Sequence, residues 1–147
     1  MKFSGYPEPL SRLKHAAIGA GTTLVVEDRA TDPSCASSLV PILRAFGFSH
    51  PEAHLYPISR PDAIALIAHL VAYSPVNGHP RCTFEIADSC AEQFAALFLA
   101  DAIFFTNSTE PFLQTKSWDP LTDSTFDSGI VAVSKNRIGA IWFEDED

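Results

Sequence analysis

The sequence predicts a single domain of mixed α/β class: a mixed β-sheet with packed helices, closed by a C-terminal antiparallel hairpin. Three observations carry this. Short β-branched runs alternate with helical patterns along the first two thirds of the chain. The stretch GIVAVSKNRIGAIWFE is apolar on both of its faces, as a hairpin inside a covered sheet would be. The 147 residues are 46% hydrophobic and 19% charged, a globular composition in a length that suits one domain, 1–147, with a sizeable core.

The elements follow in order. Pro7 and Pro9 mark an irregular start. TTLVVED (22–28) is β-branched and predicts a strand. Asp32 and Pro33 suit a helix start, and Leu39, Leu43 and Phe46 recur at helical spacing before Gly47. Pro41 interrupts that pattern, so the helix either kinks or begins later. HLYPIS (54–59) predicts a short strand. PDAIALIAHLVAYS then forms a helix oily nearly all round, relieved only by Asp62, Ala65, His69 and Ala72. SPVNGHP (74–80) is a loop by its turn residues. RCTFEIA (81–87) alternates and reads as a strand, with Asp88 or Ser89 capping the helix that follows. AIFFTN (102–107) is a further strand. Residues 108–128 form a long polar excursion, and Lys135-Asn136 turns the closing hairpin.

The charge is uneven. The net charge is −8; from Trp118 onward there are seven acids against two bases. An acidic domain repels phosphate backbones, which argues against direct nucleic-acid binding. Three cysteines without close pairing argue against a disulfide framework and suit a reducing, cytoplasmic setting. The first residues show no apolar segment of the signal-peptide kind, and AIALIAHLVAY is about half of what crosses a bilayer. No membrane partner is therefore expected.

Candidate chemistry is sparse. Gly19 and Gly21 precede a strand, whereas phosphate-binding loops place glycines between a strand and a helix. His79, Cys82 and Cys90 lack the short paired spacing of zinc ligands. Asp119, Asp123 and Asp127 recur every four residues, but a calcium loop needs closer ligands and a glycine. No hydrolase signature is present. The expectation is a protein that is not an enzyme and uses no cofactor or metal. Glu144, Asp145, Glu146 and Asp147 close the chain as a block of acids. Either they are a solubilising end that blunts a strand edge, or they join Asp119, Asp123 and Asp127 as a docking surface.

The stretch TDSTFDSGIVAVSKNRIGAIWFEDED resembles the ends of small bacterial immunity proteins from toxin–immunity systems, contact-dependent inhibition among them. Phe126-Asp127, Gly129-Ile130-Val131, Gly139, Trp142 and the acids from Glu144 to Asp147 carry the resemblance, over roughly thirty residues. It implies a cytoplasmic inhibitor that binds a cognate toxin domain with a basic surface, a nuclease for example, and blocks its active site. The partner-binding residues would be Asp119, Asp123, Asp127, Glu144, Asp145, Glu146 and Asp147. Two alternatives stand beside it. One is a small enzyme using His69, His79 and Cys82 near a cleft; the other is an oligomerisation or scaffold module. Oligomeric state is not legible in the sequence.

Overall fold

The computed structural model describes residues 5–14, 21–31, 39–73, 78–112 and 118–145. These form one five-stranded sheet with helices on both faces, so the mixed α/β class holds. In chain order the elements are α1 (Leu10–Lys14), β1 (Thr22–Asp28), α2 (Val40–Ala45), β2 (Tyr56–Ile58), α3 (Arg60–Ala72), α4 (Phe84–Ala96), β3 (Ile103–Thr106), β4 (Phe126–Ser134) and β5 (Arg137–Asp145). The strand order is β1-β5-β4-β3-β2, and every pairing is antiparallel.

The closing hairpin occupies the middle of that order, which is why both of its faces are apolar. Ile130, Ala132, Ile141 and Phe143 join Leu24, Val26 and Phe104 beneath α3 and α4. The alternate residues Val131, Val133, Ile138, Ala140 and Trp142 pack on the opposite face, against α2, Phe48 and Leu121. Side chains of a strand point alternately to the two faces, so one pair of strands feeds two cores. Arg137 fixes the hairpin corner: it donates to Asp28 Oδ1 and to the Leu97 carbonyl, each at 2.7 Å.

The helices start where side chains can satisfy their first N–H groups. Ser59 caps α3 by accepting from the Asp62 amide at 3.2 Å, with Pro61 in the first turn. Asp62, Ala65 and His69 are exposed as a polar stripe, while Ala72 is buried. Pro41 lies in the first turn of α2, so that helix begins late instead of kinking. Gly47 follows its end at φ +98°, a left-handed conformation that favours glycine. The expected start at Asp32 and Pro33 lies outside the described residues.

One expectation is overturned. Residues 81–87 are not a strand: Thr83 caps α4 by accepting from the Ile86 amide at 3.3 Å, and the helix begins at Phe84. Ala87, Cys90, Ala91 and Phe94 then recur at helical spacing and are all buried. The two-residue alternation of the short RCTFEIA window was the opening of a longer helical period. Cys90 therefore sits mid-helix and not at a helix start. Among the described residues, no helix is long and apolar enough to cross a membrane.

Candidate functional site

The acids singled out in the sequence converge on one end of the sheet, where β4 begins, β5 ends and the 118–125 loop folds over both. Two strand pairings bring them there: Asp127 lies opposite Glu144, and Phe126 opposite Asp145. Their environments differ sharply.

Asp127 is the correction. It is fully buried, so it is not part of a solvated binding surface. Its position explains this. Asp127, Gly129, Val131 and Val133 alternate onto the face that holds Trp142, and only Leu121 and its neighbours cover that end. The carboxylate is met by donors on several sides. Thr122 donates its backbone N–H at 2.9 Å and its hydroxyl at 2.7 Å to Oδ2. Asn107 Nδ2 donates to Oδ1 at 2.8 Å, and the Leu121 amide approaches the same oxygen at 3.4 Å. Burial raises the carboxyl pKa above its ordinary value, and the hydrogen bonds from Thr122 and Leu121 oppose that rise. The Trp142 indole also favours the charged form, although its N–H makes no well-aligned hydrogen bond.

Asn107 links three pieces of chain at this point. Its Nδ2 also donates to the backbone carbonyls of Asp119 and Asp127, at 3.1 and 3.2 Å, and its backbone carbonyl accepts from the Asp119 amide at 2.8 Å. The loop is thereby fastened to the ends of β3 and β4. No sequence motif marks Asn107; a polar residue directly after the apolar run AIFFT was the available signal.

The other acids stand outside this knot. Asp119 accepts from the Tyr56 hydroxyl at 2.9 Å, and that bond raises the phenol pKa. His54 lies against the same ring, with centroids 4.4 Å apart. Asp123 pairs with His50 Nε2 at 2.7 Å and its side chain is 78% exposed. Glu144 accepts from Ser124 Oγ at 2.8 Å and is half-buried. Asp145 is half-buried near Arg81, whose guanidinium lies over the Phe143 ring and donates to the carbonyls of Leu70 and Tyr73. Glu146 and Asp147 lie outside the described residues. Trp118, tilted against the Phe126 ring with centroids 5.0 Å apart, lines a shallow depression with Pro120, Ser124 and Thr125. The surface thus combines Asp119, Asp123, Glu144 and Asp145 with one half-buried tryptophan.

The residues named for an enzymatic alternative are differently placed. His69 is exposed on α3 against the Tyr73 ring. Cys82 points its thiol at the Val71 carbonyl, 3.7 Å away, and burial raises its pKa. A raised thiol pKa is the reverse of what a nucleophile requires. Among the described residues, no group of three or more His, Cys, Asp or Glu is placed to hold a metal ion. Gly21, from the glycine pair near the start, is at φ +85°. It accepts from the Glu144 amide at 2.9 Å, where β1 begins beside the end of β5.

No known family model, curated protein or solved structure matches this chain.

Proposed function

We propose that this protein is a cytoplasmic immunity protein, a non-enzymatic inhibitor that docks its acid-bearing end onto a basic surface of a cognate toxin domain. One observation carries the reading: Asp119 and Asp123, on a loop that Asn107 and Asp127 hold in place, lie at the same end of the sheet as Glu144 and Asp145 of β5. Carboxylates held on a fixed loop favour fast, selective association with a basic partner, because less ordering is needed at the moment of contact. Trp118 supplies an aromatic anchor among them, a residue type that often dominates interface energetics. A nuclease presents a basic substrate cleft, and a carboxylate cluster can occupy it in place of phosphates.

The test uses the product of the neighbouring gene. It should bind this protein and lose its activity on binding. Neutralising Asp123, Glu144 and Asp145 together should slow association and flatten its dependence on salt. A neighbour that neither binds nor is inhibited would remove the reading.

A further inference from the structure

His50 and Asp123 meet at the surface, within reach of solvent. The imidazole Nε2 lies 2.7 Å from Asp123 Oδ1, and the two side chains are 45% and 78% exposed. His50 is tied to the same loop through its backbone as well: its N–H donates to the Leu121 carbonyl at 2.9 Å. An acid of the docking loop is thus held against a group that changes charge near neutral pH.

A carboxylate only accepts, so the neutral ring presents its proton at Nε2 and leaves the Nδ1 lone pair to take a second one. The contact is the same in both forms, and only its charge differs. With a neutral ring the pair is negative; with a protonated ring it is neutral. Histidine is the side chain that makes this change between about pH 5 and 8.

The other charged groups of the neighbouring elements are engaged elsewhere or stand clear. On the loop, Asp119 accepts from the Tyr56 hydroxyl. On β5, Glu144 accepts from Ser124 Oγ. Arg44, in the last turn of α2, and Glu52 are exposed, and His54 lies against the Tyr56 ring. Among the described residues, Asp123 is the charged group bonded to the His50 ring.

Resting on the docking surface proposed above, we propose that His50 is its proton-operated control. A basic partner draws on Asp123. Protonated His50 supplies a positive charge beside that carboxylate, where a cation of the partner would otherwise act, so docking weakens as pH falls. The coupling is reciprocal: a partner that seats a cation at Asp123 lowers the affinity of His50 for its proton and releases it.

The probe is a dye-labelled hexa-arginine peptide, titrated against the whole protein by fluorescence anisotropy at low ionic strength. Wild-type affinity should fall about fivefold between about pH 8 and about pH 5.5. His50→Gln retains an N–H donor toward Asp123 but takes no charge, and its affinity should stay within about twofold over the same range. His69→Gln, altering a histidine set against the Tyr73 ring, should leave the wild-type profile in place. Asp123→Asn at the higher pH should bind as the wild type does at the lower. Both members of the pair are exposed, so their substitution should leave the melting temperature nearly unchanged.

A His50→Gln profile as steep as that of the wild type overturns the proposal. So does a flat wild-type profile, a peptide that does not bind, or a His69→Gln variant that flattens the profile equally. The two readings fail separately. Peptide binding that ignores His50 removes the proton control even where the neighbouring gene product docks. A profile that depends on His50, beside a neighbouring gene product that does not associate, retains the control for basic ligands and removes the toxin as the partner.

Discussion

Thr122 closes on Asp127 with both of its donors, the backbone N–H at 2.9 Å and the hydroxyl at 2.7 Å, on a single carboxylate oxygen. A strand residue thereby holds the loop that precedes it, and the loop in turn seals the strand end from water. The acid is part of the fold's interior, and the loop that carries Asp119 and Asp123 is held by it.

Asp127→Ala should therefore be strongly destabilising. It leaves the N–H and hydroxyl of Thr122 and the N–H of Leu121 buried without that acceptor, whereas Asn107 Nδ2 keeps the backbone carbonyls of Asp119 and Asp127; the loss is about 2–4 kcal/mol in total. Chemical denaturation measures it directly. A loss below about 0.5 kcal/mol would mean that water reaches these groups after the side chain is removed.

The pH dependence of that contribution has an unusual sign for a carboxylate. Burial raises the folded-state pKa of Asp127 above its ordinary 3.8. The folded protein then binds the proton more readily than the unfolded chain in the window above 3.8, and stability from this group is lost as pH rises through the folded value. The stability gap between the wild type and Asp127→Asn should be larger near pH 3.5 than at pH 7. Denaturation of both proteins across that range checks it; a gap that widens toward neutrality would reverse the assignment.

Asp123 should behave in the opposite way to Asp127. Its pair with His50 is exposed on both sides, and such pairs contribute about 0–1 kcal/mol. Asp123→Asn should leave the thermal midpoint within a degree or two, whereas its effect on association with a basic partner should be visible in stopped-flow rates at low salt.

Gly129→Ala should be poorly tolerated. An added Cβ would stand 2.2 Å from the Ile141 carbonyl oxygen, 2.7 Å from Trp142 Cε3 and 2.8 Å from Trp142 Cα. Backbone atoms in a central strand pair cannot yield by that much, and overpacking of this kind costs about 1–3 kcal/mol or more. Thermal melts of the alanine variant provide the measurement, with an unchanged midpoint counting against this packing of Trp142.

The thiols provide a chemical check. Burial pushes the Cys90 pKa up to about 11, and Cys90 lies inside α4. In a Cys35→Ser background at pH 8, an alkylating reagent should modify Cys82 slowly and Cys90 only after denaturant is added. Fast labelling of Cys90 in the native protein would place it nearer solvent.

The parts legible in the sequence were those where one period dominates a long window. The hairpin shows apolar residues on both faces, which only a central position in a covered sheet accommodates. The α3 helix combines a serine cap, an early proline and an oily circumference. Residues 81–87 were misread because a seven-residue window holds both periods, and Ala87, Cys90, Ala91 and Phe94 decide it only further along. Asp127 was grouped with Asp119 and Asp123 by spacing alone. Counting back by twos from Val133 and Val131 through Gly129 puts it on an inward face, so the signal was present. Its partners Asn107 and Thr122 are distant or unremarkable in sequence, and only the fold brings their donors to one oxygen.

The place of the hairpin in the sheet also governs how the chain must fold. β1 has β5 as its one strand partner among the described elements, and Thr22 pairs with Phe143, 121 positions later. Such contacts require a long loop to close before they bring any gain, so assembly is slow compared with a chain of local contacts. During synthesis β1 leaves the ribosome well before its neighbour exists. Until the last strand emerges, α3 and α4 have no completed sheet beneath them, and their apolar faces are the part of the nascent protein most in need of a chaperone.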